Sequence, residues 1–240
     1  MRVFLAAALV ALTSVATLQR ATGQGRGGPA NDADTAKAMA PVDMTGYWVA
    51  YVTEDWRFRM VTPRKGDYQA VPMTEEARKI ADAWDPAADE ASGNQCKAYG
   101  AAAIMRVPAR FHITWQDDNT LRVESDSGMQ TRFFHFNSPA AGERTWQGYS
   151  TAQWQRPTSL KVATTNMRAG YLRKNGVPYS ENATVTEYFD MAPLPNGGQV
   201  LMVTAIVDDP RYLQQPFTVS SQFLKEADGS KWDPTPCTAK

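Results

Sequence analysis

The side chains best suited to chemistry gather in three stretches. In "EDWRFRM" (54–60) a period of two sets Trp56, Phe58 and Met60 on one strand face and Arg57 and Arg59 on the other. Two guanidiniums side by side on a sheet can hold a carboxylate or a phosphate through paired hydrogen bonds. The plainer reading pairs them with Glu54 or Asp55 in water. In "AIMRVPARFHITW" (103–115), Arg106, Arg110, His112 and Thr114 alternate with Val107, Ala109, Phe111, Ile113 and Trp115. If the odd face packs under a helix, the even face looks into a polar lumen. His112 would then sit where proton transfer near neutral pH is possible. In "TVTEYF" (184–189), Glu187 lies in mid-strand. It would face water by default, and would act as an acid, a base or an orienting partner if turned inward beside Arg57 or Arg132.

These stretches give a candidate set. His112 and Glu187 are the catalytic candidates. Tyr51, Trp56, Arg57, Arg59, Arg106, Arg132, Tyr149 and Trp154 are the ligand-binding candidates, because Tyr and Trp suit a ligand with an apolar body. The second histidine, His135 in "TRFFHF", shares a face with Thr131 and Phe133 and reads as a surface or structural residue. A metal centre would need His112, His135, Glu187 and Asp190 to converge with no HxH or HExxH spacing to bring them together, so none is expected. Ser150 in "GYST" has no local base. With no nucleophile elbow, phosphate loop or dinucleotide fingerprint, no cofactor is expected.

The elements that position these residues are strands. "NTLRVES" (119–125), "TSLKVAT" (158–164) and "QVLMVTA" (199–205) each follow turn chemistry and then alternate apolar with polar residues, as the second arm of a hairpin does. First arms fit "ARFHITWQ" (109–116), "WQGYSTAQWQ" (146–155) and "ATVTEYFDMA" (183–192). With "GYWVAYVT", "DWRFRMV", "MQTRFFHF" and "FTVSSQFLKE" the count reaches about ten strands. One helix is predicted over 74–84, with Thr74 as its cap, Glu75 and Glu76 in its first turn and Asp85-Pro86 as its stop. Sections 84–103 and 167–181 read as long irregular loops. So many short strands must hide their edges. The predicted fold is all-β, a closed antiparallel barrel of about 8–10 strands with one short helix, and the alternative is a two-sheet sandwich. A barrel of that size can enclose one small molecule.

Residues 1–23 carry Arg2, an apolar run from Val3 to Ala16 and a small-residue site at Ala21–Gly23, which reads as a signal peptide. Residues 24–40 are rich in Gly, Ala, Asn and Asp and read as a disordered linker. The remaining 41–240 suit a single barrel domain. No later apolar stretch approaches membrane-spanning length, so stable membrane insertion is not expected. Loss of Arg2 and Arg20 turns the balance of 25 basic and 25 acidic residues into 23 against 25, a poor match to nucleic acid. Cys96 and Cys237 are the only cysteines, and in an oxidising compartment they most simply form one disulfide. The predicted location is the periplasm or the medium.

"TGYW" (45–48) resembles the Gly-x-Trp start of the first lipocalin strand, where the Trp closes the barrel floor. Four longer pieces are similar to a family of uncharacterised exported bacterial lipocalin-like barrel proteins common in acidobacteria and proteobacteria. They are "WDPAADEASGNQCKAYGAAAIMRVPARFHI", "WQGYSTAQWQRPTSLKVATTN", "PYSENATVTEYF" and "IVDDPRYLQQPFTV". Together they run through most of 41–240. Two departures from that pattern stand out. Tyr179 occupies the place of a His before Ser180, and Tyr188 that of an Arg. The resemblance implies fold and export, with no activity attached. The functional expectation is therefore an exported protein that holds a partly apolar molecule in its barrel, with arginines suited to an acidic group. The competing expectation is a cofactor-independent lyase, isomerase or hydratase acting on an aromatic or isoprenoid compound in the same cavity. Whether the chain is an enzyme, and its oligomeric state, are left open by the sequence.

Overall fold

The computed structural model describes residues 35–137, 141–155 and 157–240. The predicted signal peptide lies outside them. Nine strands close into one barrel: β1 (Gly46–Tyr51), β2 (Arg110–Asp117), β3 (Thr120–Ser125), β5 (Gln130–His135), β6 (Tyr149–Gln155), β7 (Ser159–Thr165), β10 (Thr184–Pro193), β11 (Gln199–Asp208) and β12 (Phe217–Lys225). Round the ring the order is β1-β12-β11-β10-β7-β6-β5-β3-β2. Every joint is antiparallel except that of β5 with β6. The sandwich alternative is thereby excluded. β5 and β6 thus run in the same direction, which a hairpin connection cannot give.

Alternation decides what each strand turns inward. Phe111 and Ile113 of β2, Leu121 and Val123 of β3, Phe134 of β5, Leu160 and Val162 of β7, Phe189 and Met191 of β10, Leu201 and Val203 of β11 and Phe223 of β12 meet round Trp48 in one buried cluster. Burying this much apolar surface is the main stabilising term. Side chains fill the lumen. Trp48 is fully buried, its indole N–H donates to the Met44 carbonyl at 3.0 Å, and the Lys225 ammonium lies 4.7 Å over its ring.

The two ends differ. One carries the tight turns and is covered by the chain ahead of β1. The predicted linker is held there from Thr35 onward: Ala36 is buried, its N–H donates to Asn119 Oδ1 at 2.9 Å, and its carbonyl accepts from the Trp154 indole at 2.8 Å. The other end carries a cap. Its helices are α1 (Trp56–Arg59), α2 (Glu75–Asp82) and α3 (Pro86–Ala91), joined by the hairpin of β8 (Gly170–Arg173) and β9 (Val177–Tyr179). Ala77, Ala81, Met167, Leu172, Val177, Tyr179, Val207 and Phe217 form the cap's own core against the strand ends. A short parallel pair, β4 (Ser127–Gly128) with β13 (Thr235–Pro236), brings the C-terminal strap alongside.

Helix α2 starts where its sequence demands, with Thr74 Oγ1 accepting from the Ala77 N–H at 3.2 Å. Two expectations are corrected. Three helices are present among the described residues rather than one, because Asp85-Pro86 both ends α2 and begins α3, its Asp capping the Ala87 N–H at 3.0 Å. "DWRFRM" is helical rather than extended. The pairing of β1 with β12 ends at Tyr51, opposite Gln222, and the chain leaves the sheet there. It satisfies its backbone locally, through Phe58 N–H to Asp55 carbonyl and Met60 N–H to Trp56 carbonyl bonds, each 2.9 Å. Within the cap, Gly176 has φ +84° and a Cβ there would strike the Trp84 side chain. Gly176→Ala is expected to cost at least about 1 kcal/mol in urea unfolding, since strain and collision add.

Candidate functional site

The cap gathers three arginines from three separate segments. Arg59 comes from α1, Arg106 from the turn that leads into β2, and Arg173 from the end of β8. All three are buried, at 7%, 6% and 4% exposure. Arg residues are almost never this buried without partners, and their hydrogen bonds show how far each is satisfied. Arg59 pairs with Glu54 and donates from Nε to the Arg106 carbonyl at 2.9 Å. Arg106 donates from Nη2 to Asp55 Oδ2 at 2.7 Å. Arg173 donates from Nη1 to the Gln69 carbonyl at 2.7 Å, and its nearest carboxylate oxygen, Asp55 Oδ2, is 3.9 Å from Nη2. Among the described residues, Arg173 Nε and Nη2 and Arg59 Nη2 have no hydrogen-bond acceptor.

Rings complete the site. The Arg173 guanidinium lies 4.1 Å over Phe58 and 5.9 Å from Phe217, and that of Arg106 5.6 Å from Phe217. These faces hold the guanidiniums flat and keep water from them. Burial and the Arg106 charge pull the Arg173 pKa down to about 10, against the opposing pull of Asp55 and Asp67. Arg173 is thus charged at neutral pH. Three buried cations face two carboxylates, Glu54 and Asp55. A cleft of about 40 Å³ opens beside them, lined by Phe58, Val61, Pro63, Leu172, Lys174 and the three arginines. At roughly 10–15 Å³ per water-sized probe, that is room for one small polar group. Val61, which lines it, is exposed, as are Trp56 at the start of α1 and Met60 just after it.

The structure places the sequence candidates in four groups. Arg59 and Arg106 line the cleft, while Trp56, the first residue of α1, and Tyr51, the last of β1, are exposed and not part of its lining. Arg57, expected beside Arg59, points away and pairs with Asp67 at 2.6 Å, its side chain 58% exposed. A helical turn separates the two residues that a strand would have aligned, so the Arg57–Arg59 clamp is not formed. Arg132 and Glu187 do meet, inside the barrel, through Nη1–Oε1 at 3.0 Å and Nη2–Oε2 at 2.5 Å. Glu187 is fully buried and its partner is Arg132, one of the two arginines that the sequence suggested.

The third group is on the outer wall. His112 faces outward, because the odd residues of its strand supply the core. It stacks on Tyr47 with ring centres 4.0 Å apart, and its Nδ1 lies 3.6 Å from Glu124. His112 and Glu187 therefore stand on opposite faces of the sheet. Tyr149 also lies outside, stacked on His135 at 4.8 Å. Burial pushes the His135 pKa down. Trp154, the fourth case, turns inward at the far end and packs with Trp115 and Phe136.

Sequence reasoning missed Arg173, Phe58 as its stacking partner, and Phe217. "YLRKNG" showed a basic pair in a presumed loop, and nothing local in it signals burial. Cys96 and Cys237 form the expected disulfide. Among the described residues no helix is long and apolar enough to cross a membrane. Comparison with models of known families and with curated proteins finds no match to this chain.

Proposed function

We propose that the protein is an exported binder of a small molecule with an acidic group and an apolar body, and that it takes this ligand at the arginine cleft of the cap. The observation that carries the reading is the set of buried guanidinium N–H groups on Arg173 and Arg59 without acceptors, at a cleft whose other walls include Phe58, Val61, Pro63 and Leu172. A buried donor left unmade costs about 1–3 kcal/mol, and more when charged. An anion that fills the donors recovers that cost, which is how such a site gains affinity from a small ligand. The cleft replaces the lumen as the binding place because core side chains fill the lumen. Export is supported by the Cys96–Cys237 disulfide and by the leader-like residues 1–23, and points to the periplasm or the medium.

The test is calorimetric titration of the purified protein with benzoate, 3-phenylpropionate and octanoate at neutral pH. At least one should bind in a one-to-one ratio, and Arg173→Gln should weaken it about tenfold or more, the loss of a charge-assisted pair being worth about 1.5–3 kcal/mol. Equal binding by Arg173→Gln would place the ligand elsewhere.

A further inference from the structure

Asp55 is held in an unusual way. It has φ +54° and ψ +24°, the left-handed region that L residues other than Asn and Asp rarely visit. It stands at the N-cap of α1, where an Asp side chain ordinarily accepts a backbone N–H, yet it makes no such bond. Its carboxylate turns instead to two of the arginines that line the cleft, 2.7 Å from Arg106 Nη2 and 3.9 Å from Arg173 Nη2. One carboxylate thus lies between two guanidiniums and satisfies one of them. The Nε and Nη2 atoms of Arg173 form the edge of the guanidinium that matches the two oxygens of a carboxylate, and both lack acceptors.

We infer that Asp55 occupies the subsite of the ligand's own carboxylate, so that the ligands are apolar monocarboxylic acids, which bind by displacing Asp55 from Arg106 and taking the open edge of Arg173. This rests on the anion-binding reading above. The class follows from what already sits there. The resident group is a planar carboxylate, and the cleft has room for one small polar group. The displaced Asp55 remains tethered beside the site and repels a second negative charge. Its release also frees α1, which carries Trp56 and continues into Met60 and Val61. The same step that admits the carboxylate loosens the apolar segment that can cover the rest of the ligand.

The experiment titrates wild type, Asp55→Asn and Asp55→Gly with benzoate, 3-phenylpropionate, octanoate and phenyl phosphate. Both substitutions suit the left-handed backbone, so at least one folded variant is expected, as thermal melting will show. Removing the internal competitor should tighten the monocarboxylates about tenfold, since the apparent Kd is the intrinsic one divided by the fraction of molecules with a vacant site. Phenyl phosphate should bind more weakly than the carboxylates to wild type. Carboxylate binding that appears only in the Asp55 variants also supports the inference. Binding to wild type that the Asp55 variants leave unchanged or weaken overturns the displacement and leaves the anion site standing. A preference for phenyl phosphate overturns the ligand class. No binding of any probe by wild type or either variant overturns both readings.

Discussion

Glu187→Ala is expected to destabilise the protein by about 3–5 kcal/mol, the range for removing one partner of a buried ion pair. Glu187 and Arg132 are both inaccessible to water, and their two parallel contacts use both carboxylate oxygens. Arg132 Nη2 donates a further bond to Thr164 Oγ1 at 3.2 Å, and Thr164 is bonded in turn to Ser150 at 2.7 Å. With the carboxylate gone, a guanidinium remains in an apolar interior, against the Phe134 ring, 4.9 Å away. The same reasoning gives the opposite result for the double variant. Arg132→Met with Glu187→Leu removes both desolvation penalties and should recover most of the loss, as apolar replacements of buried pairs do. Urea unfolding of the two single variants and the double variant closes the cycle. Additive losses in the double would show that the pair is not coupled. A fully buried Glu187 tied to Arg132 is a structural group, and this measurement separates that role from the acid–base role that the sequence suggested.

Cys96→Ser is expected to lower stability by about 5 kcal/mol, less any strain, because the bridge closes a loop with a sequence separation of 141 residues. What the bridge holds is a strap. From Glu226 onward the chain runs back along the outside of the barrel, where Trp232 lies edge-on to Tyr47 at 6.0 Å and the Thr235 N–H donates to the Asp126 carbonyl at 2.9 Å. Besides the bridge, the Arg110–Glu226 ion pair, the β4–β13 pairing and a Lys174 Nζ to Thr238 Oγ1 bond hold the strap down. Wild type treated with reductant should unfold with the midpoint of Cys96→Ser, and Cys237→Ser should match both. An unchanged midpoint on reduction would show that the strap is held without the bond.

The barrel was legible because its signals are local. Alternation after Asp117-Asp118, Arg156-Pro157 and Asn196-Gly197-Gly198 locates three hairpins without knowledge of anything distant. The same alternation marks Phe111 against His112 but does not say which face is inward. That choice depends on the neighbouring strands, and the polar-lumen assumption reversed it. "DWRFRM" alternates as well as any strand here, yet the pairing of β1 stops at Tyr51, a tertiary boundary that no local pattern reveals. The site itself was half visible. Arg59 stood out as half of a guanidinium pair on an expected strand, and Arg106 as a member of the even face that carries His112. Arg173, which lies more than sixty positions beyond Arg106, joins them only through the cap's packing. The Glu187–Arg132 pair was anticipated because both fall on mid-strand positions, where inward or outward is the only question.

The joint between β5 and β6 is made by two residue pairs, Phe134 with Ser150 and His135 with Thr151, where β10 and β11 share ten. A ring breathes at its thinnest seam. Parting here would uncover two raw strand edges, the surfaces through which β proteins join to other copies of themselves. Arg132 stands on β5 and reaches past this seam to Thr164 on β7 and Glu187 on β10. The buried ion pair is therefore a rivet as much as a contact. An apolar pair in its place could match its free energy and still leave the wall free to unzip, because grease holds volume together without holding one strand to another.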